Sequence, residues 1–189
     1  MENIKNLQPF IHPKSGIRIL RPVEFRVLIN GIPKLENKDK VEVLLYTGAR
    51  YIEAKWLYEH PEAFKQDFII MPSQKPKVVH KERIIRLNNQ GKRAVVNFLR
   101  CKTNLPTHVA FDENLIRWCK NAEMNSIGVS VKAFRKAWES WLAVMYPNNW
   151  LQIFLSQGHT AKTSMEYYLS LPYTTEDKKD ISYYTEGWV

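Results

Sequence analysis

The sequence predicts an α+β domain, mainly α-helical, with one small antiparallel β-sheet near its middle. Three observations predict it. Apolar residues recur at helical spacing over most of the chain beyond residue 37. Two short β-type runs, "DFIIMP" and "RIIRL", flank a polar, lysine-rich segment. Gly48, Gly158 and Pro172 fall where helical runs should stop.

The elements follow in order. "IRILRPVEFRVLING" fits a strand or the lead into a first helix. "ENKDK" reads as a helix entry capped by Asn37 or Asp39, and "KVEVLLYTG" continues that helix to Gly48. "YIEAKWLYEH" resumes as a second short helix. The two β runs over 67–87 form a hairpin whose tip, "SQKPKVVHKE", is basic. "GKRAVVNFLR" places Ala94, Val95, Phe98 and Leu99 on one helical face, and "DENLIRWCKNAEM" does so with Leu115, Ile116 and Cys119.

"SVKAFRKAWESWLAVMY" is the most regular segment. Ser130 is its expected N-cap, and Phe134, Trp138, Trp141, Leu142 and Met145 form its core face. Lys132, Arg135, Lys136 and Glu139 lie toward the other side. After Pro147, "NNWLQIFLSQG" reads as a short apolar helix ending at Gly158. "HTAKTSMEYYLSL" reads as a further helix, capped by Thr160 and stopped before Pro172. The tail 173–189 is polar with aromatic interruptions, a composition suited to docking, on a neighbour for example. A single domain over 1–189, with its core at about 37–172, is expected.

Composition narrows the function classes. Hydrophobic residues make up 44% and aromatics 12%, which excludes a disordered chain. The 28 lysines and arginines against 19 acidic residues leave a net charge of +9. That excess favours a polyanionic partner, nucleic acid before an anionic membrane. No apolar run approaches the roughly 20 residues of a membrane span. The start, "MENIKNLQPF", lacks a signal pattern. Cys101 and Cys119 make neither a disulfide framework nor a zinc site and read as buried thiols in a reducing compartment. The expectation is a cytoplasmic protein with no membrane partner, metal or cofactor.

Each candidate for chemistry has an ordinary structural reading when taken alone. Arg50 follows a turn, as surface arginines do. A lysine-rich hairpin tip is commonly just solvated. Lys132 and Arg135 share a helical face opposite the apolar stripe. His159 follows a glycine, and Tyr168 is one of nine tyrosines.

Taken together, they change the reading. "TGARYIEA", a basic hairpin, "KAFR", "QGH" and a tyrosine nine residues after the histidine occur in that order. Arg50 and Arg135 are 85 residues apart, and Arg135 and His159 are 24 apart. This order and spacing resemble the catalytic domain of tyrosine recombinases, the phage-integrase family, over about 41–171. Members of that family carry an arginine in a TGxRxxE turn, a hairpin lysine, an HxxR pair, an LGH and then the nucleophilic tyrosine. Here the pair is KxxR, with Lys132 where histidine is usual, and LGH has become QGH. The KxxR pair and "MEYYLSL" look like integrases of archaeal viruses and plasmids. The family's separate helical DNA-clamping domain does not fit in the residues before the turn. The expectation is therefore a fragment of a longer enzyme or a minimal catalytic protein.

The resemblance implies strand cleavage and rejoining on double-stranded DNA, through a 3′-phosphotyrosine, without metal or ATP. It implies Tyr168 as nucleophile, with Tyr167, about 100° away on the same helix, as its rival. It implies Arg50 and Arg135 as a two-arginine clamp on the phosphate, with Glu53 as a buttress. A hairpin lysine would protonate the leaving 5′-oxygen. Lys75, Lys77 and Lys81 compete, with Lys77 favoured and Lys75 next. Lys132 would contact phosphate or donate a proton, and His159 would hydrogen-bond the scissile phosphate. Recombination in the family uses four protomers, so self-association on DNA is expected. A type IB topoisomerase-like relaxing enzyme and an inactive DNA-binding relative remain alternatives.

Overall fold

The computed structural model describes residues 7–72, 82–158, 168 and 170–189. It opens with a small antiparallel hairpin, β1 (Phe10–Ile11) and β2 (Arg18–Ile19), with Phe10 opposite Ile19. The first helix, α1 (Pro22–Gly31), begins three residues later. Both readings of "IRILRPVEFRVLING" are therefore realised, strand first and helix second. Pro22 makes the switch, because its fixed φ suits the first helical position and its missing N–H costs nothing there.

Helix α2 (Leu35–Thr47) starts earlier than the Asn37 or Asp39 cap would place it. Its N-cap is Lys34, which makes no side-chain cap bond. It ends at Gly48, in the left-handed conformation, and α3 (Tyr51–Glu59) follows after a two-residue break. Strands β3 (Phe68–Pro72) and β4 (Glu82–Arg86) pair antiparallel from Phe68↔Arg86 to Pro72↔Glu82. The expected central sheet is thus present, and β1–β2 forms a second one. Helices α4 (Asn89–Leu99), α5 (His108–Asn121), α6 (Val131–Met145), α7 (Trp150–Gln157) and α8 (Thr175–Thr185) complete the described chain.

Helix α6 is the axis of the core. It packs against α2, α5, α7, α8 and β2. Phe134, Ala137, Trp138, Trp141 and Leu142 are fully buried on it. Each large apolar side chain buried this way contributes about 1.5–3 kcal/mol relative to exposure. Trp141 also satisfies its indole N–H on the Leu20 carbonyl at 3.0 Å.

Two residues depart from the faces that their spacing predicts. Ile116 is 51% exposed, and Trp118 occupies the α5 core face with Phe111, Leu115 and Cys119. Those four fall on the i, i+4, i+7, i+8 positions of one stripe, which Ile116 misses. Glu139, expected on the wet side of α6, is 1% exposed.

The tail 173–189 folds and packs on its own chain. Thr174 and Asp177 cap α8 reciprocally, with Thr174 Oγ1 accepting from the Asp177 N–H at 3.1 Å and the Thr174 N–H donating to Asp177 Oδ2 at 3.0 Å. Arg21 reaches Asp177 with Nη2 at 2.8 Å. Asn88 Nδ2 donates to the Tyr184 and Glu186 carbonyls, and the Tyr146 hydroxyl donates to the Thr185 carbonyl. Among the described residues, no helix is long and apolar enough to cross a membrane.

Candidate active site

Two glycine turns frame the site. Gly48 closes α2 and Gly158 closes α7, both in the left-handed region at φ 55° and 64°. A side chain at either position would be strained by that φ and would force a neighbouring side chain to shift. A Cβ on Gly48 would lie 2.4 Å from Gln157 Oε1, and one on Gly158 would lie 2.8 Å from Arg83 Cδ. The two helix C-termini thus meet, and their last carbonyls, left without helical partners, point into one region.

Arg50 leaves the first turn as the N-cap of α3. Its backbone N–H donates to Glu53 Oε2 at 2.7 Å and its Nη1 donates to Glu53 Oε1 at 2.8 Å. Glu53 is fully buried, and its carboxylate holds the arginine by both main chain and side chain. Arg83, on β4, completes this arrangement. Its Nη2 donates to Glu53 Oε2 at 2.6 Å, and its Nη1 donates to the Ser156 carbonyl on α7. Burial alone would raise the Glu53 pKa. Arg83, the Arg50 amide and the charges of Arg50 and Arg135 outweigh that, and the carboxyl stands below its usual range.

Arg135 bridges the two turns. Its Nη1 donates to the Gly48 carbonyl at 2.7 Å and its Nη2 donates to the Gln157 carbonyl. Burial first, then the charges of Arg83 and Arg50, push its pKa down to about 10. Lys132 lies one turn earlier on α6. Both line a cleft of about 360 Å³ together with Ala49, Arg50, Val131 and Glu139. Of the sequence-predicted residues, the structure therefore brings Arg50, Lys132 and Arg135 to one cavity.

Tyr168 does not line this cleft but contacts Glu139, which does. The side chain is 1% exposed, and its hydroxyl donates to Glu139 Oε2 at 3.1 Å. Burial, then the Glu139 carboxylate, push the phenol pKa well above its ordinary value. Lys75, Lys77, Lys81, His159 and Tyr167 lie outside the described residues. No group of acidic, histidine or cysteine side chains among the described residues is arranged to hold a metal ion.

Sequence reasoning missed Arg83 and Glu139. Both left a signal. Arg83 is in phase with the fully buried Ile85 on β4, an inward position for a strand. Glu139 completes a polar stripe at helical spacing with Lys132, Arg135 and Lys136. All four line the cleft. Fixed guanidinium donors beside a lysine, with one carboxylate holding two of the arginines, make a site suited to a phosphate's non-bridging oxygens.

No family model and no curated protein matches this sequence. Solved structures do match its fold. An integrase of the Tn1549 transposon, in complex with circular intermediate DNA, superposes with a TM-score of 0.63 at 18% identity, over 92% of this chain and 66% of the integrase chain. The XerA recombinase matches with a TM-score of 0.64 at 18% identity, over 96% of this chain and 68% of that one. A variant of the Tn1549 integrase, in complex with transposon right end DNA, gives 0.65 at 19% identity, over 92% and 66%. The chain thus spans about two thirds of the length of these structures, and its fold is that of the tyrosine-recombinase catalytic domain.

Proposed function

We propose that this chain is a DNA-cleaving and rejoining catalytic domain of the tyrosine-recombinase type, acting on double-stranded DNA. The observation that carries the reading is the convergence of Arg50 and Arg135 on one cleft. One comes from the turn after Gly48, and the other is anchored to that turn's carbonyl.

The chemistry follows from the charges. A tyrosine oxygen attacks a backbone phosphorus, the 5′-oxygen leaves with a proton, and a 3′-phosphotyrosine retains the diester's energy for rejoining. The pentavalent transition state gains negative charge on its non-bridging oxygens. Arg135 commits Nη1 and Nη2 to backbone carbonyls and still has N–H groups for a phosphate, because a guanidinium carries five. Arg50 is preorganised by Glu53, so little reorganisation is needed when charge develops. Lys132 adds a point charge. A hairpin lysine, Lys77 or Lys75, serves as acid to the leaving oxygen, and His159 as a further phosphate donor. Tyr168 is the nucleophile and leaves Glu139 before it attacks.

The basic excess supplies sequence-independent affinity through phosphate contacts. Self-association as a tetramer on two DNA sites, a cytoplasmic setting and an origin in an archaeal virus or plasmid belong to the same reading. A duplex nicked next to its cleavage site tests it. Wild type should form an SDS-stable protein–DNA adduct without metal or ATP. Peptide mapping should find the DNA on Tyr168, and Tyr168→Phe should form no adduct. An adduct on Tyr167, or none from wild type, overturns the assignment.

A further inference from the structure

A histidine outside the recognised set lines the same cleft. His108 is the first residue of α5 and borders the cavity with Arg50, Lys132 and Arg135. Its side chain is 47% exposed, so a ligand can reach it. Two neighbours hold the ring. Nδ1 is 3.4 Å from Asp112 Oδ2, one helical turn on. The Tyr51 ring meets it edge-to-face with centroids 5.4 Å apart. Tyr51 directly follows Arg50 and is itself fixed, its hydroxyl donating to the Pro106 carbonyl at 3.1 Å.

Asp112 connects this histidine to the arginine helix. Its Oδ1 accepts from the Val131 N–H at 2.8 Å. Val131 is the first residue of α6, and Ser130, its formal N-cap, makes no side-chain cap bond. One carboxylate therefore orients His108 and caps the helix that carries Lys132 and Arg135.

We propose that His108 is a further phosphate-binding residue of this cleft, donating from the imidazolium Nε2–H to a DNA phosphate oxygen. The proposal rests on the DNA-cleaving reading above. With Nδ1 turned to Asp112, a neutral ring has only a lone pair at Nε2, which a phosphate oxygen repels. The protonated ring has an N–H there. The contact is thus coupled to proton uptake. The charged groups around this ring are Asp112 on its own helix, Glu139 across the cleft, Arg50 and Lys55 beside Tyr51, and Lys132, Arg135 and Lys136 on α6.

The test is the salt dependence of binding to a short duplex, near pH 6 and near pH 8.5. Wild type should have a slope of log Kobs against log[salt] steeper by about 0.9 at the lower pH, the value of one extra phosphate contact. His108→Ala should lose that difference, and His108→Lys should show the steep slope at both pH values. Should His108→Ala lose its native circular dichroism, His108→Gln carries the same expectation. If wild type forms the covalent adduct but His108→Ala keeps the wild-type pH difference, another group titrates and the proposal is overturned, while the cleavage reading stands. If wild type neither binds the duplex nor forms the adduct, the cleavage reading falls and takes this contact with it.

Discussion

The Tyr168 hydroxyl donates to Oε2 of Glu139 at 3.1 Å, and both residues are 1% exposed. A phenol held this way is sequestered. It faces a carboxylate that disfavours its ionised form. Glu139 also lines the arginine cleft, so the hydroxyl sits one side chain away from that cleft.

Glu139→Gln should therefore lower the Tyr168 pKa, because the carboxylate charge is one of the two main causes of its elevation. Burial is the other and remains, so the value should not return fully to the ordinary one near about 10. Ultraviolet difference titration against Tyr168→Phe isolates this phenol. A raised folded pKa means stability is complete below the unfolded value and lost as pH climbs above it. Glu139→Gln should accordingly be less sensitive than wild type to unfolding at alkaline pH. An unchanged titration would show that Glu139 does not govern this hydroxyl.

Glu53 should govern stability at the opposite end of the pH scale. Its folded pKa is depressed below the unfolded value of about 4.3. Its contribution is therefore complete above that value and lost as pH falls through the folded pKa. Glu53→Gln should flatten the acid limb of a urea-denaturation series. It should also cost about 3 kcal/mol at neutral pH, since it leaves the buried Arg83 guanidinium without its carboxylate. A loss below about 1 kcal/mol would place the pair in the class of surface ion pairs.

Gly48→Ala should destabilise through two separate causes. The left-handed φ of 55° costs a non-glycine residue about 1–2 kcal/mol. The new Cβ would also collide with the buried Gln157 side chain. Because the Gly48 carbonyl anchors Arg135, adduct formation on a nicked duplex should fall further than the stability loss explains. Gly187→Ala is the control. Its φ is also positive, at 72°, but nothing lies within 4 Å of a Cβ there, so it should lose stability and keep activity.

What was legible in the sequence follows local physics. The stops at Gly48 and Gly158 were readable because a left-handed C-terminal turn favours glycine. The α6 core face was readable because Trp138, Trp141 and Leu142 repeat at helical spacing. The partners that hold the site were not, because they come from distant segments. Asp112, not Ser130, satisfies the first N–H of α6, from 19 residues away. Asp177 meets Arg21 across 156 residues and draws the polar tail onto its own chain. Charges give no hint of such pairing, since any of 28 cations could meet any of 19 acids. The burial of Glu139 depends on Tyr168 reaching it from a later segment, which no periodicity within α6 encodes.

Arg135→Lys separates charge from geometry at the centre of the site. The guanidinium spans two carbonyls, on Gly48 and Gln157, that belong to different helix ends. A lysine brings the same charge as a single compact ammonium and cannot hold both carbonyls while presenting a fork to a phosphate. Duplex binding should stay within a few-fold of wild type, because the net charge is unchanged and most non-specific affinity comes from the whole basic surface. The adduct-forming rate should fall on the order of 10²–10³-fold, as for loss of one preorganised donor. Arg135→Ala should lose the same rate and also weaken binding and stability, since the two turns lose their tie. Equal rates for Arg135→Lys and wild type would mean that charge alone suffices at this position, and the two-arginine clamp would be discarded.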